Sequence, residues 1–295
     1  MMIEELKSKA KELLKNKQVD LIIGYKRVSD GVSAMPCFVA QEEDADNLIW
    51  DAYCVYNLSN YLKDFPGKKI GIIAKPCDIK SIVVLLQENQ LKRENVYIIG
   101  MECVGVIDEK KMRFGGKDNQ DAATIKEKCK SCRSSIPTVY DYLIKEKDKK
   151  NRIQDEKDEY DSVLKLEAKS AAERLKFWEK EFSRCIRCYA CRQVCPMCYC
   201  PKCVADQTMP AWFSKGANLK GNFSWNVIRA MHLAGRCIDC GECERACPVG
   251  IPLRDLNKKI EKDIKELFKY EAGRNADEKP LFASFDKEDP GEWIR

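Results

Sequence analysis

Two copies of one cysteine pattern constrain this chain more than any other feature. The pattern is Cys-x2-Cys-x2-Cys-x3-Cys-Pro; the first copy begins at Cys185 and the second at Cys237, 52 residues later. Three cysteines spaced in this way on a tight loop direct their sulfurs into one cavity, whereas the fourth lies too far round and reaches the neighbouring cluster. The repeat therefore predicts two 4Fe–4S clusters that exchange their fourth ligands.

This exchange assigns eight cysteines to two sites. The ligands expected for the first cluster are Cys185, Cys188, Cys191 and Cys247. The ligands expected for the second cluster are Cys237, Cys240, Cys243 and Cys195. Zinc, the alternative metal, favours two Cys-x2-Cys pairs separated by a longer loop and requires no triplet followed by Cys-Pro. Because a thiolate would cap every iron, the pattern indicates electron transfer, and we assign no catalytic residue.

The composition indicates a reducing compartment, and we expect a cytoplasmic protein. The chain has 17 cysteines in 295 residues, an odd number, and 11 of them lie between Cys185 and Cys247. No signal peptide precedes them, so metal-binding thiolates are favoured over disulfides. The only histidine is His232, which argues against sites built from several imidazoles and against most general-base chemistry.

The rest of the composition argues against a membrane-spanning segment and against a nucleic-acid partner. No apolar run approaches the roughly 18 residues of a membrane span. The net charge of +5 is mild and is not concentrated in a basic tail. We therefore expect neither a membrane span nor a nucleic-acid partner.

The N-terminal half has the pattern of an α/β domain. Residues 69–74 and 95–100 are continuously apolar segments of the kind found in parallel strands, and residues 79–88 between them have helical spacing. Strand, helix and strand in this order predict a parallel βαβ unit. The predicted organisation is an α/β domain over 1–145, a charged linker and helix over 146–183, a two-cluster domain over 184–255, and a helix with a docking tail over 256–295.

A second group of cysteines lies in the α/β half. Cys77 and Cys103 each follow a predicted parallel strand, so both are expected at the sheet edge where α/β proteins bind ligands. There they could meet Cys129 and Cys132, which form a Cys-x2-Cys pair on a later loop. We expect a third 4Fe–4S cluster at these four residues; a zinc site and simple core cysteines remain alternatives.

Other candidate residues are more weakly indicated. Cys198, Cys200 and Cys203 follow the first motif. They could form a further zinc or iron site completed by His232 or another cysteine, give alternative ligation of the second cluster, or be free thiols. A nucleotide or FAD in the N-terminal domain could be contacted by Lys75, Gly115 and Gly116. We expect Cys37 and Cys54, in apolar surroundings, to be structural.

Both halves also resemble known redox subunits. Residues 69–88 (KIGIIAKPCDIKSIVVLLQE) and 96–105 (VYIIGMECVG) resemble the N-terminal domain of β subunits of deazaflavin (coenzyme F420) hydrogenases and formate dehydrogenases. Residues 185–203 (CIRCYACRQVCPMCYCPKC) and 237–252 (CIDCGECERACPVGIP) resemble the bacterial-ferredoxin-like dicluster domains of hydrogenase, formate dehydrogenase and heterodisulfide-reductase-like complexes. The resemblance implies an α/β domain followed by a ferredoxin-like domain with flanking helices.

The resemblance also implies a role. We expect an electron-transfer subunit of an anaerobic multi-subunit complex, relaying single electrons between a flavin or ferredoxin site and a hydrogenase, dehydrogenase or reductase partner. The expected partners are the other subunits of such a complex, among them a flavoprotein, and ferredoxin. The alternative is an FAD-binding oxidoreductase subunit that oxidises or reduces a nicotinamide or deazaflavin carrier.

Overall fold

The chain divides into two compact units. A computed structural model describes residues 2–109, 125–146, 158–212 and 214–283, together with residues 287, 289 and 291. The first unit comprises Met1–Glu159 with Gly273–Ala276, and the second comprises Tyr160–Ala272 with Asp277–Arg295.

A five-stranded sheet forms the centre of the described part of the first unit. The order across the sheet is β2-β1-β3-β4-β5; β1 and β2 are antiparallel, and the other three pairings are parallel. This confirms the prediction of a parallel-rich sheet with helices, to which β2 adds an antiparallel edge. The strands are β1 (Leu21–Arg27), β2 (Ala34–Val39), β3 (Ile70–Ala74), β4 (Val96–Met101) and β5 (Tyr142–Ile144).

Helices cover both faces of this sheet. The helices of the first unit are α1 (Met2–Lys15), α2 (Pro76–Gln87) and the short α3 (Glu127–Lys130). Successive strand residues point to opposite faces. Ile72 accordingly packs in the core that contains the buried residues of α2, whereas Ile73 packs with those of α1. All five residues of β3 are buried, which explains its unbroken apolar sequence.

The second unit is helical in its described part. Its longer helices are α4 (Asp161–Glu167), α5 (Ala171–Ser183), α7 (Leu219–His232) and α9 (Leu253–Phe268), and its short ones are α6 (Ala190–Gln193) and α8 (Glu242–Arg245). Ser170 and Glu173 form a capping box that begins α5, and Asn218 caps α7. Short 3-10 helices lie at Glu43–Asn47, Leu58–Asp64, Arg93–Asn95, Val204–Asp206 and Leu281–Ala283.

Candidate cysteines are part of the core of the second unit. Phe182, Trp225 and Ile251 pack in one cluster with Cys191 and Cys247. In the parts of the chain that the structure describes, none of the helices has the length and apolar character needed to cross a membrane.

Candidate metal centres

Both cysteine loops adopt the same unusual backbone conformation. Arg187 and Tyr189 in the first loop have φ values of 57° and 58°, and Asp239 and Gly241, at the equivalent positions of the second, have 55° and 67°. Non-glycine residues rarely adopt this left-handed conformation. Alternating right- and left-handed residues turn successive peptide N–H groups into a concave surface that binds anions, including iron–sulfur clusters. The repeat in sequence is therefore also a repeat in backbone geometry.

One cavity collects the four ligands predicted for the second cluster. Cys195, Cys237, Cys240 and Cys243 all line one cavity. Cys195 comes from the first motif and reaches the cavity of the second motif, as the exchange of ligands requires. The sulfur donors and the cavity fit a 4Fe–4S cluster.

The thiols predicted for the first cluster also lie together. Burial raises the pKa of Cys191, and the neighbouring thiols of Cys185, Cys247 and Cys188 raise it further. Cys247 therefore stands beside the first triplet although it belongs to the second motif. Its Sγ accepts a hydrogen bond from the backbone N–H of Ile251 at 3.4 Å. N–H groups directed at cluster ligands are among the features that set a reduction potential.

The two sites differ in solvent access. Cys188, in the first set, is exposed, whereas Cys191 and Cys247 are buried. Burial raises the pKa of Cys243, in the second set, to about 12. A thiol of this kind is protonated at neutral pH unless a metal displaces the proton.

Several polar residues surround the second site, and the cysteine motif gives no indication of them. Nδ2 of Asn257 donates to Sγ of Cys243 at 3.8 Å. Asp239 forms an ion pair with Arg254 at 2.6 Å and another with Lys258 at 3.2 Å. Burial opposes the charge on Asp239, but the two cations lower the pKa of this carboxyl to about 2. Periodicity places Asn257 and Lys258 on an amphipathic helix, but only the folded chain shows that they face this site.

The extra cysteines after the first motif have separate surroundings. Cys198 donates a hydrogen bond to Cys195, and this bond, with nearby Arg229, lowers the pKa of Cys195 to about 6. Cys203 interacts with the Arg192 guanidinium, which also forms an ion pair with Asp206 at 2.9 Å. The remaining two residues of the proposed set, Cys200 and His232, are exposed.

No single-ion site is formed within the described ranges. There, no group of three or more His, Cys, Asp or Glu side chains is placed to hold one metal ion. A 4Fe–4S cluster requires a different arrangement of ligands, because its four thiolates bind four separate iron atoms and do not converge on one point.

The four cysteines predicted to hold the third cluster lie near one another, around Cys103. Burial raises the pKa of Cys103 to about 11, and the nearby thiols of Cys129 and Cys132 also raise it. Burial is the largest cause of the raised pKa of Cys77, and the nearby thiol of Cys103 raises that pKa further. The backbone N–H of Val106 donates to Sγ of Cys129 at 3.5 Å. The structure thus brings these thiols together at the ends of β3 and β4.

Lys75, predicted to contact a cofactor, points into the protein. Its side chain is 2% exposed, and its amine donates to the Tyr56 carbonyl at 2.6 Å and to the Tyr25 hydroxyl. Asp78 Oδ2 lies 3.1 Å from the amine. Burial lowers the pKa of Lys75, but Asp78 and nearby thiols raise it, and the net effect keeps the amine charged. Gly115 and Gly116 lie outside the described residues, so the cofactor contacts stay a prediction.

Cys37 and Cys54 are buried in the first unit. Burial raises their pKa values to about 11 and about 12 respectively. Thiols of this kind are unreactive at neutral pH, as expected of structural cysteines.

Comparison with known proteins agrees with this geometry. Residues 184–252 match the family described as the 4Fe-4S dicluster domain. The second unit contains a 4Fe–4S dicluster domain. The prediction of two 4Fe–4S clusters is confirmed, and so is iron–sulfur electron transfer as the role of this domain. The third cluster stays a prediction.

Two curated relatives resemble nearly the whole chain. The F420-dependent formate dehydrogenase subunit beta of Methanocaldococcus jannaschii is 26% identical, over 92% of this chain and 92% of the relative. The F420-dependent formate dehydrogenase 1 subunit beta of Methanococcus maripaludis is 25% identical, over 89% of this chain and 88% of the relative. These matches confirm the resemblance to iron–sulfur β subunits.

Proposed function

We propose that this protein is the electron-relay subunit of an anaerobic, cytoplasmic multi-subunit oxidoreductase of the formate dehydrogenase or hydrogenase type. Both relatives are named as β subunits of formate dehydrogenases, which supports partner subunits for this chain as well. When bound, each 4Fe–4S cluster accepts one electron from a reduced donor, such as a flavin or ferredoxin, and passes it to an oxidised acceptor.

The observation that carries this proposal is that the last cysteine of each motif lies with the first three cysteines of the other motif. Cys195 lines the cavity of the second triplet, and Cys247 lies beside the thiols of the first. Shared ligand loops hold two clusters close together, and short separation is what single-electron transfer requires. The chain's own residues supply thiolates, inward N–H groups and a buried setting, which together select an electron relay over bond chemistry.

The ligand sets follow from this placement. Cys185, Cys188, Cys191 and Cys247 hold the first cluster, and Cys237, Cys240, Cys243 and Cys195 hold the second.

A third cluster is proposed at Cys77, Cys103, Cys129 and Cys132. The support is the grouping of these thiols around Cys103, at the end of a βαβ unit made by β3, α2 and β4. A buried cluster at this edge of the sheet would be a further electron-transfer centre, located in the first unit.

Quantification of metals and cofactors tests the proposal. Protein purified without oxygen should contain about twelve iron atoms with equal acid-labile sulfide, or about eight if only the dicluster is present. The full-length variant Cys103→Ser should lose about four irons, whereas Cys54→Ser, a matched change at a buried structural cysteine of the same unit, should lose none. Protein without acid-labile sulfide would contradict the whole proposal; equal iron in the two variants would contradict the third cluster alone.

The FAD-binding alternative is tested by the same sample. The names of both relatives include F420, a deazaflavin, which is the observation that favours a flavin-linked role. About one bound FAD per chain would support that role, and flavin-free protein with full iron content would support a pure relay.

A further inference from the structure

One buried cation lies between the two cluster sites. Arg229, on α7, is 5% exposed. Its Nη2 donates to the carbonyl oxygen of Cys191, a ligand of the first site, at 2.9 Å. The same side chain lines the cavity formed by the ligands of the second site. Arg229 therefore touches the backbone of one site and faces the other.

The guanidinium has unused hydrogen-bonding capacity. Its Nε is buried and has no hydrogen-bond partner among the residues that the structure describes. An unpartnered buried N–H group is unfavourable, because it has lost its hydrogen bonds to water. A cluster sulfide or ligand sulfur in the cavity would accept a hydrogen bond from this group.

The charge of Arg229 also lacks an acidic partner. The acids that line the same cavity have basic partners of their own, because Asp239 pairs with Arg254 and Glu242 pairs with Arg245. Arg229 forms no ion pair with a carboxylate in the described part of the chain. Burial lowers the pKa of Arg229, but the thiols of Cys195, Cys243, Cys198 and Cys191 raise it above its ordinary value. The sulfur groups near this cation include ligands of both sites, Cys191 of the first and Cys195 and Cys243 of the second.

We propose that Arg229 is an electrostatic residue shared by both clusters, whose fixed positive charge raises both reduction potentials. Each cluster gains one negative charge on reduction, and a buried cation beside it stabilises the reduced state more than the oxidised state. Arginine suits this role because its guanidinium stays charged when buried. This inference rests on the proposed two-cluster function.

The test compares three full-length variants by redox titration followed with paramagnetic resonance. Arg229→Gln removes the charge, Arg229→Lys retains it, and Lys220→Gln removes one charge from an exposed position of the same helix. Arg229→Gln should lower the reduction potentials of both clusters. At a fixed applied potential the ratio of reduced to oxidised cluster should fall at least tenfold, which corresponds to a shift of about 59 mV for a one-electron couple. Lys220→Gln should shift neither, because solvent screens its charge.

The outcomes separate this inference from the function on which it rests. A shift of both signals in Arg229→Gln, with a smaller shift in Arg229→Lys, supports the proposal. A shift no larger than that of Lys220→Gln, or a shift of one signal only, overturns it. If Arg229→Gln fails to bind iron, full iron and near-native potentials in Arg229→Lys support it, and loss of iron in both variants overturns it in favour of a purely structural role. Wild-type protein without clusters would overturn the proposed function itself.

Discussion

At the scale of single residues, the position of a sulfur atom matters more than the motif to which it belongs. Cys247 ends the second motif, yet its thiol lies with those of Cys185, Cys188 and Cys191. It is also buried in the same apolar cluster as Cys191. Motif and site are therefore different groupings of the same cysteines.

Replacing the crossed ligands tests this grouping. Cys247→Ser should weaken or abolish the resonance signal of the first cluster and leave the second, because serine is a poorer ligand than a thiolate. Cys195→Ser should have the reciprocal effect. Loss of the signal from the neighbouring triplet in either variant would show that the ligands do not cross.

A second residue-scale prediction concerns Asn257. Its amide donates to Sγ of Cys243, and such N–H···S bonds stabilise the more negative, reduced cluster. Asn257→Leu should lower the potential of the second cluster only, and the first cluster serves as the internal control in a redox titration. Equal shifts of both clusters would mean that the amide acts through the general fold and not through this sulfur.

At the scale of elements, the residues with left-handed backbone conformation before α6 and α8 explain how two loops of different sequence form the same concave, cluster-binding surface. Tyr189 and Gly241 occupy equivalent places, but only one of them is glycine. The tyrosine ring packs edge-on against Trp225 with ring centroids 4.9 Å apart, a contact that stabilises its loop. The second loop depends on glycine instead.

Gly241→Val should therefore damage the second cluster. A β-branched residue in the left-handed region costs about 1–2 kcal/mol. We expect the second site of this variant to lose iron faster on exposure to chelator. The decay of the paramagnetic resonance signal of the second cluster measures this rate. Gly291→Val is the control, since Gly291 is exposed, lies outside the left-handed region and has open space around an added Cβ. Equal rates of iron loss in the two variants would contradict the argument.

At the scale of the whole molecule, the two units obtain their stability from different sources. The sheet unit has apolar cores on both faces of its strands, built from residues such as Ile72 and Ile73. The core of the second unit includes Cys191 and Cys247, both proposed iron ligands. Metal binding and folding are coupled when ligands form part of a core.

Iron removal should consequently affect the units unequally. After chelation, amide hydrogen exchange should become fast in α6 and α8, whereas β3 and β4 should remain protected. Mass spectrometry of peptides from both units measures this directly. Equal loss of protection in the strands would show that the sheet also needs the metal.

The amino-acid sequence alone specified the features that depend on local spacing. The paired motifs identified the two clusters, because three thiols at this spacing on one loop can converge on a single cluster. The apolar segments around residues 70–74 and 96–101 identified a parallel-rich sheet, because strands covered on both faces have no polar alternation. The contacts of Arg229 and Asn257 and the antiparallel pairing of β2 with β1 were not predicted. Their roles depend on contacts between residues far apart in the chain, and only tertiary packing decides which side chains of a helix or strand face a given site.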